Sequence, residues 1–159
     1  MSVNIRRATF DDIDPIKELF VGTIAQINTS DYSPEQIRAW ISRAQDTARW
    51  KRRIAEQHFF VAENDTQILG FTSMTDDGYV DLLYVHHEHQ GKDIGSQLLK
   101  TVMDLGGQRG ANEFRASVSI TARMFFEKHG FSVREQQIVE VDDVSMTNFL
   151  MTKNSKSIS

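Results

Sequence analysis

Apolar positions along the chain follow first a helical period, then a strand period, then an alternation of the two. Val3 and Ile5 alternate with polar neighbours as in a short strand. "TFDDIDPIKELF" then supplies N-capping candidates, early acids and Pro15 near a helix start, and Ile13, Ile16, Phe20, Ile24 and Ile27 continue at helical spacing. In "SPEQIRAW", Ser33 can cap, Pro34 suits the first helical position and Gln36 completes a capping-box spacing, with Ile37, Trp40 and Ile41 as the buried face. A third helical stretch runs through Trp50 and Ile54. The period then changes. "HFFVAEN", "QILGFTSM" and "YVDLLYV" read as strands separated by Asn64-Asp65 and Asp76-Asp77-Gly78, which predicts an antiparallel meander.

Helix, strand, helix, strand and strand follow over residues 94–108, 113–119, 121–129, 131–141 and 144–151. This order predicts an α/β (α+β) architecture, a mixed sheet with helices on both faces. Residues 1–153 read as a single domain. The last residues of "KNSKSIS", 154–159, read as a disordered tail.

At 159 residues, 40% of them hydrophobic, the chain can bury a sizeable core without disulfides or metals. The absence of cysteine removes a thiol nucleophile and cysteine-ligated zinc together. The first residues lack the apolar core of a signal peptide, and no window approaches the roughly 18 apolar residues of a membrane span. The expected address is therefore the cytoplasm, with no membrane partner. A net charge of -4 argues against a nucleic-acid partner and suits a cationic ligand better. The basic cluster "RWKRR", Arg49 to Arg53, reads as a solvated helix face without a functional role.

Candidate chemistry concentrates in "LLYVHHEHQGKDIGSQLL", Leu82 to Leu99. An apolar strand ends at Val85, a polar loop follows, and a helix begins near Ile94. Unpaired N–H groups at a helix start, with the helix dipole behind them, suit phosphate, and glycine lets the main chain approach the anion closely. Gly91, Gly95, Lys92 and Ser96 are the parts such a site needs, although on these residues alone a plain surface turn is an equal alternative. Neither a Walker loop nor the dinucleotide fingerprint is present. His86, His87 and His89 have a spacing that lets imidazoles share a face, but no further ligand set accompanies them and no metal is expected.

This stretch, with "ARMFFEKHGF" (Ala122 to Phe131) about thirty residues later, resembles the GNAT (GCN5-related) N-acetyltransferase superfamily. That family's acetyl-CoA loop reads strand, [QR]-x-x-G-x-[GA], helix, and its later helix-to-strand segment ends in Gly-Phe. The resemblance covers the element order from about Asn4 to Lys153. It implies a mostly antiparallel sheet of about six to seven strands, in which strand 79–85 splays from strand 113–119. The pantetheine arm of CoA is then implied to lie in the gap, on main-chain groups around Leu83, Tyr84 and Val85. The pyrophosphate is implied to sit on the amides of Gln90, Gly91, Lys92, Asp93, Ile94, Gly95 and Ser96, and Ser119, Phe125 and Phe126 to complete the cosubstrate site.

In such a reaction an amine attacks the thioester directly, so no protein nucleophile is needed. The amine must lose a proton, since an alkyl ammonium has a pKa near ~10.4. Asp81 is the expected base, on a strand face shared with Tyr79, Leu83 and Val85, with pairing to a nearby arginine as its alternative role. Glu63 is a weaker candidate. The main-chain N–H near Leu83 is the implied oxyanion donor. Tyr32, Trp40 and Asn148 are expected to wall the acceptor, which the residues leave open among a small amine, a protein N-terminus, a lysine and an aminoglycoside.

The chain departs from the family pattern at two positions. Asp93 stands at the second glycine, where a left-handed backbone is tolerable but the charge opposes phosphate. Phe126 stands where many relatives carry a tyrosine acid, and Ser119 where an asparagine is common. Tyr32 and Tyr84 are the nearest substitute acids, Tyr84 being expected in the core on the face opposite Asp81. His129 reads as a helix C-terminal residue. The departures motivate an alternative, a CoA-binding regulatory module with little turnover; a nucleotide-binding protein is favoured by neither motif. "SMTNFLM", Ser145 to Met151, could pair two copies into a homodimer or lie inside the sheet.

Overall fold

A computed structural model describes residues 2–155. One seven-stranded sheet runs β1 (Asn4–Arg7), β2 (His58–Glu63), β3 (Ile68–Met74), β4 (Tyr79–Val85), β5 (Glu113–Ser119), β7 (Val144–Asn154), β6 (Ser132–Val141) in spatial order. Every neighbouring pair is antiparallel except β4 with β5. On one face lie α1 (Ile13–Ile27), α2 (Pro34–Ser42) and α3 (Thr47–Glu56), and on the other α4 (Ile94–Gln108) and α5 (Arg123–Lys128). The strand at the end of the chain reaches Asn154, and the Ser155 N–H bonds the Asn112 carbonyl, so residues 154 and 155 belong to the ordered sheet and its margin. Residues 156–159 of the expected tail lie outside the described residues. No helix among the described residues is long and apolar enough to cross a membrane.

The helix starts form for local reasons. Ser33 accepts from the Gln36 N–H at 3.1 Å while the Gln36 side chain accepts from the Ser33 N–H at 2.8 Å, with Pro34 at the first turn. Asp46 caps α3 through the Arg49 N–H. Each face of the sheet then buries its own cluster: Ile16, Phe20, Ile24, Trp50 and Phe71 under α1 and α3, and Leu99, Val102, Phe114, Phe126 and Met151 under α4 and α5. Gly70 permits the close seating of α4, since a Cβ there would meet the Tyr84 carbonyl oxygen at 2.9 Å and Leu98 at 3.0 Å.

Two polar ties fasten the outer elements. The Arg6 guanidinium takes Asp12 with both terminal nitrogens at 2.9 Å and Glu63 through Nε at 2.9 Å. Asp12 is buried, and its Oδ2 also accepts from the Thr9 N–H. Arg6 holds both carboxyls below their ordinary range. Glu63 is therefore committed at the β1–β2 edge and borders neither of the clefts described below, which corrects its reading as a second candidate base. The buried Tyr32 hydroxyl donates to the Thr147 carbonyl at 2.7 Å and accepts from the Ile120 N–H at 2.9 Å, fixing the segment between α1 and α2 to β5 and β7. β7 lies between β5 and β6, so "SMTNFLM" is internal and the edge on that side of the sheet belongs to β6, with β1 at the other.

Because the folded-state pKa values of Asp12 and Glu63 lie below their unfolded ones, this contribution is complete above pH ~5 and is lost as pH falls through the lower folded values. Acid unfolding followed by circular dichroism is expected to show a steeper decline below that point than in Asp12→Asn, whose profile should be flatter. Tyr32→Phe, which strands a carbonyl and an N–H, is expected to lower stability by about 1–3 kcal/mol in denaturant titration.

Candidate active site

β4 and β5 pair only at Tyr79 with Arg115 and Val80 with Ala116, then separate. At the same level β4 carries a bulge: Met74 faces Val80 and Ser73 faces Leu82, leaving Asp81 as the extra residue. The extra residue reverses the alternation. Val80, Leu83 and Val85 pack toward α4, whereas Leu82 and Tyr84 pack toward α1. Asp81 also turns to the α1–α3 side, where its Oδ2 accepts from Arg53 Nε and Gln57 Nε2, each at 3.0 Å. The expectation that Asp81 shares a face with Leu83 and Val85, opposite Tyr84, is thus corrected, because simple alternation does not survive a bulge. Its arginine pairing is present.

The His86 N–H bonds the Leu69 carbonyl, which sets the phase of the β3–β4 ladder beyond the bulge: the main chain of Leu82 and Tyr84 addresses β3, and that of Leu83 and Val85 faces the gap. The Val85 carbonyl there already accepts from Thr23 Oγ1 at 2.9 Å and Gln90 Nε2 at 2.7 Å. Only the N–H of Val85 is left for a ligand, and the Gln90 side chain folds back onto the strand. This narrows the expectation of main-chain groups around Leu83, Tyr84 and Val85: the Tyr84 main chain is taken by β3, and the Val85 carbonyl by Thr23 and Gln90.

The gap opens into a cleft of about 580 Å³ whose wall includes Leu83, Val85, Gln90, Asp93, Ser96 and Phe125. Gly91, Ile94, Gly95, Tyr84, Ser119 and Phe126 border it as well, so the expected cosubstrate residues converge with one exception. The side chain of Lys92 lies against a separate depression with Val3 and Gln97, and its Nζ is 3.5 Å from His89 Nδ1. In the loop, Gly91 has φ 74° and Asp93 φ 63°, both left-handed, and Asp93 immediately precedes α4. Asp93 thus adopts the backbone a glycine would supply, with its side chain exposed. Phe125 packs within 3.2 Å of where a Cβ on Gly95 would stand. Phe126 is buried in edge contact with Phe125 and Phe131, a core residue with nothing to donate.

His129 contributes more than its place at the end of α5 predicts. Its Nδ1 donates to the Phe125 carbonyl at 2.8 Å, which leaves Nε2 to accept from Ser96 Oγ at 2.9 Å, and so ties α5 to the first turn of α4. Ser119 Oγ accepts from the Ala122 N–H and holds the turn before α5.

A second cavity, of about 310 Å³, adjoins the cleft. Trp40, Asp81, Tyr84, Ser117 and Ser119 border both. Tyr32 and Asn148 border the second, although the Tyr32 hydroxyl is spent on the main chain and Asn148 Oδ1 accepts from Gln137. Burial is the main influence raising the Tyr32 hydroxyl, and it pushes Tyr84 up to about 12, with Trp40 hydrogen-bonded to it. Arg43, Arg49 and Arg53 also face this cavity. The reading of "RWKRR" as a solvated face is therefore corrected: Lys51 and Arg52 are exposed, whereas Arg49 and Arg53 flank the buried Trp50 one turn apart. Their i, i+4 spacing beside Trp50 was the available signal.

In the loop, ligand atoms of His86, His87 and Glu88 lie within 4.8 Å of one another. His86 Nδ1 accepts the Glu88 N–H, and burial first, with His87 and His89 beside it, lowers the pKa of the ring. His89 stands aside, its Nε2 against Gln67.

Comparison with known proteins accords with this geometry. Residues 28–153 match the family model for the acetyltransferase (GNAT) domain. The chain is 33% identical over 150 residues to the uncharacterized N-acetyltransferase YafP of Escherichia coli K12, covering 94% of this chain and 95% of that one. The crystal structure of a GCN5-related N-acetyltransferase from Rhodopseudomonas palustris superposes with a TM-score of 0.93 at 31% identity, over 97% of this chain and 96% of the other. The PaiA N-acetyltransferase of Thermoplasma acidophilum, crystallised with coenzyme A, gives 0.81 at 23% identity, over 97% and 99%. With its parted parallel strands, left-handed loop and helix start in that family's order, the chain belongs to the GNAT acetyltransferases.

Proposed function

We propose that the protein transfers the acetyl group of acetyl-CoA to a primary amine by direct attack, the two substrates meeting where the cleft and the second cavity join. The observation that carries this reading is the shared border at Trp40, Asp81, Tyr84, Ser117 and Ser119. A thioester lying along β4 would reach that border, and an amine in the second cavity would face it. The residues present fit CoA: β4 beyond Val80 has main-chain groups without a strand partner, and Gly91 to Ser96 offer amides at a helix start. The PaiA relative was crystallised with coenzyme A, in accord with this assignment.

Acetyl-CoA supplies the activated acyl group. The Leu83 N–H, facing the gap, is the donor available to an oxyanion. Asp81, fixed by Arg53 and Gln57 through one oxygen, has its other oxygen to receive the proton of the incoming ammonium, directly or through water. No acid is needed from Phe126, because a thiolate with a pKa of about 8.5 leaves unaided. The reaction is assigned to the cytoplasm. If two copies associate, the β6 edge, where Ile138 is 74% exposed, is the surface for it.

Calorimetric titration of CoA at fixed ionic strength is expected to give micromolar binding; no binding up to millimolar CoA would overturn the assignment. Asp93→Gly keeps the left-handed turn and removes a carboxylate beside the pyrophosphate. It is expected to tighten CoA binding by about threefold to tenfold, limited by the exposure of Asp93. Asp81→Asn is expected to lower kcat by about a hundredfold or more, measured as thiol release across pH. Unchanged turnover at every pH would remove Asp81 from the reaction.

A further inference from the structure

Resting on the acetyl-transfer reading, we propose that the acceptor is a small amine that also carries an anionic group, a carboxylate or a phosphorus oxyanion, and that Arg43 and Arg49 hold that group. Arg43, Arg49 and Arg53 border the second cavity and none of them borders the CoA cleft. Arg53 is matched by Asp81 at 3.0 Å. Arg43 and Arg49 are half-buried and make no side-chain hydrogen bond or ion pair among the described residues. Burial is the largest influence lowering the pKa of Arg49, followed by repulsion from Arg53 and Arg43. The carboxylates of Asp81 and Asp46 offset this only in part, and neither bonds the guanidinium of Arg43 or Arg49; an anion between the two relieves the remaining repulsion.

The chemistry of the groups narrows the ligand. A guanidinium presents a planar fork that matches a carboxylate or a phosphorus oxyanion with paired hydrogen bonds. Two carboxylates share the cavity: Asp81, already paired, and the exposed Glu140 on β6. The cavity therefore has an anion-accepting side made by α3 and the turn before it. Its other end, at Asp81 and Tyr84, adjoins the thioester position. An acceptor spanning the two carries its amine at the junction and its negative group at the arginines, as an amino acid or an aminoalkylphosphonate does. A volume of about 310 Å³ lies at the small end of ligand pockets. Polycationic amines, aminoglycosides among them, would be repelled.

The test pairs binding with turnover. α-Amino acids, aminoalkylphosphonates and the uncharged amides of the same amino acids are titrated into CoA-saturated protein, and the same set is assayed with acetyl-CoA by thiol release. The expected result is preference for the anionic amines over their amides by about tenfold or more in kcat/KM, with acids and phosphonates compared to identify the oxyanion. Arg49→Gln and, separately, Arg43→Gln are expected to lower kcat/KM for the anionic acceptors by about tenfold to a hundredfold, mostly through KM. The acid-to-amide ratio should collapse toward one, Arg49→Lys should restore part of it, and CoA affinity should stay unchanged. Equal rates for acids and amides, or preference for a polyamine, would overturn the proposal. Titration without CoA separates the two readings: anion binding that is lost in Arg49→Gln supports this inference even if CoA does not bind, and no anionic amine binding to either form overturns it.

Discussion

The parting of β4 from β5 is the constraint on which the rest of the structure depends. Two parallel strands that stay paired would satisfy each other's main chain and leave no room for a ligand. Here the ladder stops at Val80 and Ala116, and the bulge at Asp81 adds local twist at the point of separation. The main-chain groups released cost free energy unless water or a ligand satisfies them. One of them, the Val85 carbonyl, is satisfied internally by Thr23 and Gln90, which links α1 and the loop to the same strand.

Each face of the sheet serves one side of that opening. On the α4 face, close packing over Gly70 and the bond between His129 and Ser96 set where the helix begins, and so where its unpaired amides point. On the α1–α3 face, aromatic packing of Phe20, Trp50, Phe71 and Tyr84 holds the wall of the second cavity. Arg53 reaches Asp81 from α3, so a charge pair lies where the two faces meet the gap.

The departures from the family pattern have different physical weights. Asp93 costs little in backbone terms, because it occupies the left-handed turn that aspartate tolerates, and its charge is exposed. Phe126 is a packing choice: its ring joins Phe125 and Phe131 in the core under α5, and a hydroxyl at that position would need a partner.

Elements, caps and the glycine loop were legible in the chain itself, because helix and strand periods, the Ser33–Gln36 box and the Gly91 turn are set by residues within a few positions of one another. The strand at 79–85 and the helix at 94–108 coincide with those in the structure for this reason. What depended on distant partners was not legible. The bulge exists only in the pairing of β4 with β3, so the face of Asp81 could not be read from alternation. The burial of Arg49 and Arg53 requires β4, β6 and β7 to close the cavity over α3, and the internal position of β7 requires β6 to fold back beyond it. Local spacing determined which residues could do chemistry; only the tertiary structure decided which side of the sheet each one faces, because that depends on contacts between strands and helices far apart in the chain.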